Sequence, residues 1–442
     1  MARSVLLLCW EYPPIVEGGL ARHVRKLAEG LTREGVAVHV LTRGRAGDPA
    51  EELRAGVRVH RVPEPAMPHD LDAFVAWVQA FNDHLRAAGL RVGRRSRPSV
   101  VHGHDWLVAE AAVALSATLG VPYVTTIHAT EFGRHQGWVQ EHPQRLVHAT
   151  ETWMARRADR VVVCSHYMRG HVADVFDVPE RRVEVIPNGI DPLDLRPVDD
   201  LPELRARFAA PDQKLVLLVG RLVHEKGFQI ALDALPRVLR RAGDVRFLVA
   251  GSGTHEAELK AQAERLGLTG HGTFAGWIGD DVLHSLYRIA DVCVVPSLFE
   301  PFGLVALEAM ASGCPCIVAD TGGLREVVPN DDVGLRLRSR EPRELARLIE
   351  LVLANPALRF RLVTEASEHV RGFDWTEVAR RTAALYAGVA RTKRPRQRSP
   401  GISAADVVGL EVPTPPAVQP PIGGADASNG RRRHRHRRHR AG

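Results

Sequence analysis

"KLVLLVGRLVHEKG" (214–227) stands near the middle of the chain and reads as a buried strand running into a loop that carries Arg221 and Lys226. This run restarts a pattern the chain has already used once, and that decides the fold. Upstream, "SVLLLCW" (4–10), "VAVHVLTRG" (36–44), "GVRVHRV" (56–62), "SVVHGHD" (99–105), "PYVTTIHA" (122–129) and "DRVVVCS" (159–165) read as strands. Helical patterns near 21–35, 71–87, 106–119 and 140–157 alternate with them. Downstream, "FQIALDALPRVLRRAG", "VRFLVAGSG", "TFAGWI", "DVCVVPS" and "PCIVAD" continue a second alternation. Strands alternating with helices imply a parallel sheet covered on both faces. Two such series predict an α/β chain of two Rossmann-like, doubly wound domains. They join near 190–212, where Pro192, Pro197, Pro202 and Pro211 interrupt the pattern. In such sheets ligands bind beyond the carboxyl ends of the strands.

Length and composition agree with two domains and a tail: 442 residues, 45% hydrophobic and 25% charged. The net charge of +7 invites a nucleic-acid reading, but its distribution argues against one. Residues 391–442 hold twelve Lys or Arg against three Asp or Glu, or +9, and the rest holds 47 basic and 49 acidic residues, or −2. The Pro- and Gly-rich segment from about 393, ending in "RRRHRHRRHRAG", reads as a disordered basic tail. Cys9, Cys164, Cys293, Cys314 and Cys316 lack metal-ligand spacing and suggest buried thiols in a reducing cytoplasm. Cys314 and Cys316 flank Pro315 ahead of a strand-like run, so buried thiols are preferred to a redox pair. "SVLLLCW" is too short for a signal-peptide core, and no run reaches the ~20 apolar residues of a membrane span.

The motifs fall just after predicted strands. "PSLFEPFGLVALEAM" (296–310) places Glu300 in a loop and Glu308 inside a helix. A helix start exposes N–H groups and a partial positive charge, here from Phe302, Gly303 and Leu304, so it attracts an anion. Glu300 precedes that point and Glu308 lies about 6 Å beyond Leu304. A ligand with phosphate in the middle and hydroxyls at both ends suits the spacing, as in a sugar nucleotide. Arg221 and Lys226, five residues apart, suit a diphosphate. Gly18 and Gly19 open a helix after the first strand without forming a dinucleotide GxGxxG. His128 ends another strand, and Gly322 and Gly323 open a further helix. "DLD" (70–72) matches a metal-binding pattern, but it precedes an amphipathic helix and reads as an N-cap.

Taken together, GG, His, R-x4-K and E-x7-E in this order resemble the family 4 retaining glycosyltransferases of the GT-B fold, over about residues 3–390. "WEYPPIVEGGLARHV", "VVHGHDWLVA", "TTIHATEFGRHQGWV" and "FEPFGLVALEA" look most like the actinobacterial glycogen-synthase-like α-glucosyltransferases. The resemblance implies an acceptor domain at 1–195 and a nucleotide-sugar domain at 196–374, facing each other across a cleft. It also implies a helix at 375–392 that returns to the first domain, ahead of the tail at 393–442. Arg221 and Lys226 would hold the donor diphosphate with the Gly303–Leu304 backbone, and Glu308 the ribose. Glu300 and His128 would face the transferred sugar, and Gly19 would touch phosphate or sugar. The implied enzyme moves glucose from UDP- or ADP-glucose onto an α-1,4-glucan, without metal or cofactor. Two departures stand out: Val16-Glu17 precede the glycine pair where the bacterial ADP-glucose enzymes carry Lys-Thr, and Ala129 follows the histidine where lipid mannosyltransferases often carry Asp.

Three other readings compete. A family 4 transferase for a lipid or small-molecule acceptor, such as a mannosyltransferase, would use "LRAAGLRVGRRSRP" (85–98) as a basic membrane face, although that segment reads better as a solvated loop. A nucleotide-sugar 2-epimerase shares the architecture but needs acid and base groups that this constellation lacks. A polyanion-binding scaffold would act through the tail alone.

Overall fold

The computed structural model describes residues 4–391 apart from Met67, His69 and Asp70, with the side chains of Leu71, Asp72, Asp280 and Asp281 also left out. The expected tail, 393–442, lies outside the described residues, as does Asp70 of the DLD stretch. The helix after that stretch begins at Leu71, so Asp72 is already inside its first turn.

The first sheet holds β1 (Ser4–Leu8), β2 (Ala37–Gly44), β3 (Glu51–Arg54), β4 (Val57–Pro63), β5 (Val100–His104), β6 (Tyr123–Ile127), β7 (Arg160–Val163) and β8 (Val183–Val185). Its order is β3-β4-β2-β1-β5-β6-β7-β8, parallel except for β3 against β4. The helices of this half are α1 (Gly19–Arg33), α2 (Leu71–Ser96), α3 (Ala109–Leu119), α4 (Glu131–Arg134), α5 (Gln144–Arg157) and α6 (His166–Phe176), with α7 (Leu201–Ala206) in the crossing segment.

The second sheet holds β9 (Lys214–Val219), β10 (Val245–Ala250), β11 (Gly272–Gly276), β12 (Val292–Val295), β13 (Cys316–Ala319) and β14 (Leu335–Leu337), in the order β11-β10-β9-β12-β13-β14. Its helices are α8 (Phe228–Ala242), α9 (Glu256–Arg265), α10 (Asp280–Ile289), α11 (Leu304–Ala311), α12 (Leu324–Val327), α13 (Pro342–Ala354) and α14 (Pro356–His369). This is the GT-B architecture of two Rossmann-like parallel sheets. Strand order reverses between β1 and β5 in one sheet and between β9 and β12 in the other, and each reversal opens a crevice at the strand ends. β1 is buried along its whole length, as a central strand covered on both faces must be.

The last helix, α15 (Trp375–Val389), packs on α1: Trp375, Val378, Tyr386 and Val389 share a core with Val24, Leu27 and Leu31. Gly30 makes this crossing close, since a Cβ there would lie 2.7 Å from the Ala379 Cβ.

The segment 85–98 departs from the expected solvated loop. It is helical to Ser96, because Gly89 and Gly93 are packing positions where an added Cβ would sit 2.5 Å from Leu115 and 2.7 Å from Leu119. Glycine's helix penalty of about 1 kcal/mol is offset by the close approach of α2 to α3. Arg91 and Arg95 instead line a cavity of about 730 Å³ with Arg58, His39 and His60, on a flank that shares no residue with the cleft described below. The edge strands β3, β8 and β14 also escaped the sequence reading. β3 is polar and largely exposed, and the other two have three residues each, too short for periodicity to register. All five cysteines are buried thiols. Burial pushes the Cys9 thiol up to about 12 and the Cys314 thiol well above its usual value, which disfavours redox use of the Cys314–Cys316 pair.

Candidate active site

The two crevices face each other and form one cleft of about 480 Å³. Gly18, Gly19, His128, Arg221, Lys226, Glu300, Phe302, Gly303 and Leu304 all line it. Glu308 lines an adjoining cavity of about 390 Å³ that shares Gly19, His23, Asn188 and Leu304 with the cleft. Ten of the residues singled out in the sequence therefore converge.

From the first sheet, the chain leaves β1 through Glu11, whose buried carboxylate accepts hydrogen bonds from the Glu17 and Gly18 backbone N–H groups. Burial raises the Glu11 pKa. Arg43, almost wholly buried, braces the same loop through Glu17, Glu64 and the Trp10 carbonyl. The loop presents the start of α1 to the second sheet: a Cβ on Gly19 would lie 3.1 Å from the Leu304 side chain. The N-termini of α1 and α11 thus approach across the cleft, a pairing of positive dipole ends that favours an anion between them.

On the second sheet, the loop after β9 holds Lys226, whose Nζ donates to Glu300 Oε2 at 2.8 Å. Ser297 Oγ donates to the same oxygen at 3.2 Å. The glycines around these residues exist for packing. Gly227 has φ +70°, and a Cβ there would meet the Pro296 carbonyl oxygen at 2.0 Å. Gly322 and Gly323 open α12, as expected, and also underlie the Glu300 loop; Gly323 N donates to the Glu300 carbonyl at 2.9 Å. A Cβ on either would come within 2.1 Å of the Glu300 or 2.3 Å of the Pro301 carbonyl oxygen. Phe302 turns its ring into the core, against Phe373, so only its backbone can serve a ligand.

Four functional candidates were missed by sequence reading. Tyr287 Oη donates to Glu308 Oε2 at 2.9 Å, and Arg22 reaches across the cleft to Glu308 Oε1 at 3.5 Å. Arg134, on α4, lines the cleft beside Arg221. Partial desolvation at the cleft wall, and after it the charge of Arg134, lowers the Arg221 pKa, although more than half of the side chain stays exposed. The fourth is His23, on α1. Arg22 and His23 lie one turn past the glycine pair, and Arg134 lies six residues past His128; that spacing was the only available signal.

His128 sits among other imidazoles. Its backbone N–H donates to Asp105 Oδ1 at 2.8 Å, its Nε2 lies 3.2 Å from His104 Nδ1, and the His23 ring stands edge-on at 4.6 Å between centroids. His102 lies behind, bonded to Tyr386 Oη at 2.6 Å and Thr126 Oγ1 at 2.7 Å. Burial lowers the pKa of His128 to about 4 and of His102 to about 3, and holds His23 and His104 well below the usual value. A histidine with a depressed folded pKa takes up its proton only when unfolded, between the two values. Its stabilisation is full above about pH 6.5 and is lost as pH falls toward the folded pKa. Glu11, Asp105 and Glu151, raised by burial, act in the opposite sense, but these four imidazoles, with His148 and His171, outnumber them. The melting temperature is expected to drop by roughly 5 °C or more from pH 7 to pH 5. A value that holds or rises would mean the imidazoles are charged in the fold.

Comparison with known proteins bears on this geometry. The family model described as Glycosyltransferase Family 4 matches residues 17–193, and the model for glycosyl transferases group 1 matches 201–369. A glycogen synthase of Mycobacterium tuberculosis is 38% identical over 421 residues, covering 91% of this chain and 99% of its own. The chain belongs to the family 4 glycosyltransferases. A D-inositol 3-phosphate glycosyltransferase of Segniliparus rotundus is 33% identical over 85% of each chain. The structure of a sucrose-phosphate synthase from Thermosynechococcus elongatus superposes with a TM-score of 0.73 at 26% identity, over 87% of this chain and 98% of that one. This glycosyltransferase therefore carries its family's two-sheet frame nearly end to end. Among its described residues, no helix is long and apolar enough to cross a membrane.

Proposed function

We propose that this glycosyltransferase moves glucose from UDP- or ADP-glucose onto an α-1,4-glucan with retention of configuration, in the cytoplasm. The observation that carries the chemistry is the Lys226–Glu300 contact in a cleft where two helix N-termini meet. The likeness to a glycogen synthase, 38% identical over 91% of this chain, supports glucose and glucan as the substrates. In this reading Lys226 and Arg221 neutralise the departing diphosphate with the Gly303 and Leu304 backbone N–H groups, the electrostatic work a metal does elsewhere. Glu300 faces the sugar and positions Lys226. His128, neutral at physiological pH, bonds a sugar hydroxyl, with Gly18 and Gly19 lining the same space. Glu308 bonds the ribose and is steadied by Tyr287. The domains divide as 1–195 for the acceptor and 196–374 for the donor, with 375–392 returning to the first. The relative that acts on an inositol phosphate favours a second reading, transfer to a small phosphorylated acceptor. A screen of UDP-, ADP- and GDP-sugars against maltooligosaccharides and inositol phosphate, with EDTA present and product masses read, tests both. The expected result is a ladder of maltooligosaccharides, each longer than the last by the mass of one hexose residue. Transfer only to the small acceptor would overturn the glucan.

The two glutamates should separate kinetically. Glu308→Gln weakens a charge-assisted contact made both before and during transfer, a loss of roughly 1–3 kcal/mol, so the donor KM should rise with kcat nearly kept. Glu300→Gln should lower kcat with donor affinity nearly kept, because positive charge develops on the sugar only in the transition state. The reverse pattern would mean that the donor lies the other way round.

A further inference from the structure

We propose that His23, His104 and His128 bind a divalent transition-metal ion of the zinc class, and that an ion held there competes with the nucleotide sugar for the cleft. One nitrogen from each ring can be chosen so that all three lie within 4.8 Å of one another. The shortest edge, His104 Nδ1 to His128 Nε2, is 3.2 Å, close to the roughly 3.3 Å edge of a tetrahedron with metal–nitrogen bonds of about 2.0–2.1 Å. His23 Nδ1 is buried without a hydrogen-bond partner, which for a polar atom calls for a ligand. His102 provides the contrast: both its nitrogens are bonded, so it backs the site and does not join it.

The three ligands come from separate, rigid places: α1, the end of β5 and the residue after β6. Imidazole nitrogens select zinc, copper or nickel over magnesium or calcium. Three protein ligands also leave a fourth position open, as a site meeting a substrate cleft would require. Because His23 and His128 line the cleft together with Lys226 and Glu300, an ion there engages the imidazole that is otherwise turned to the sugar. That competition rests on the proposed function; the metal site itself does not.

The test uses full-length protein with His434, His436 and His439 of the tail replaced by alanine, so that imidazoles elsewhere in the chain do not obscure the site. Co²⁺ alone is titrated in and followed by visible absorption, then displaced by Zn²⁺. One tetrahedral ion per chain, with no thiolate charge-transfer band, is the expected result. His104→Gln and His23→Gln should each weaken binding by about tenfold or more, the scale of losing a ligand or its support. Unchanged affinity in either variant, or a thiolate band, overturns the site. Should a variant fail to fold, zinc K-edge absorption of the parent complex still decides, since any fit other than three imidazole nitrogens rejects the assignment. Saturating UDP-glucose or ADP-glucose should raise the apparent Co²⁺ Kd at least about tenfold, the size of a well-occupied competing site. Metal binding that both leave unchanged would overturn the competition, and with it the placing of His128 beside the sugar, while the three-imidazole site stands.

Discussion

Lys226→Ala is expected to lower kcat by about 10²-fold or more, the scale seen when one preorganised partner of transition-state charge is removed. The ammonium is largely shielded, held 2.8 Å from Glu300, and is the only lysine lining the cleft among the described residues. Removing it also leaves the Glu300 carboxylate, 9% exposed, without its cation. On the proposed placing of the diphosphate, that uncompensated carboxylate would repel the anion that Lys226 attracts. Arg221→Ala leaves Arg134 nearby, so its loss is expected to be smaller. Steady-state transfer from the nucleotide sugar measures both, with circular dichroism and melting curves to show that the fold persists. Near-parental turnover in Lys226→Ala would remove the diphosphate from this corner of the cleft.

Gly227→Ala is expected to lower the melting temperature by roughly 6–12 °C, about 3 kcal/mol at the 2–4 °C per kcal/mol of a domain this size. Two costs combine. A φ of +70° burdens any residue with a Cβ by roughly 1–2 kcal/mol, and here the Cβ would also lie 2.0 Å from the Pro296 carbonyl oxygen, a backbone atom that cannot rotate away. Relief requires separating the Lys226 loop from the loop carrying Ser297 and Glu300, so turnover should fall as well. Gly267→Ala is the control: it closes the C-terminus of α9 with φ +68°, and no heavy atom lies within 4 Å of its added Cβ. It should show the backbone cost alone. Equal shifts in the two variants would mean that the close approach of the loops contributes nothing.

Much of this was legible in the chain before any coordinates. A central parallel strand is apolar on both faces, so β1, β9, β12 and β13 appear as runs, and their alternation with helical periodicity determined two doubly wound sheets. Lys226, Glu300, Gly303 and Glu308 were legible because helix starts and strand ends are local: a few neighbouring residues define where an N–H or a side chain points. Gly89 and Gly93 misled for the same reason, since a local reading sees two helix breakers and not the Leu115 and Leu119 that need the room.

Tertiary structure alone decided the other half of the site. Arg22 meets Glu308 across 286 residues of chain, and Tyr287 meets it from a neighbouring helix. His23, His104 and His128 gather from three elements, and Tyr386 of the last helix reaches His102 of β5. No periodicity carries such pairings. They depend on the side-chain direction at the ends of unconnected elements and on how closely two sheets approach, and both are set by the packing of the whole chain.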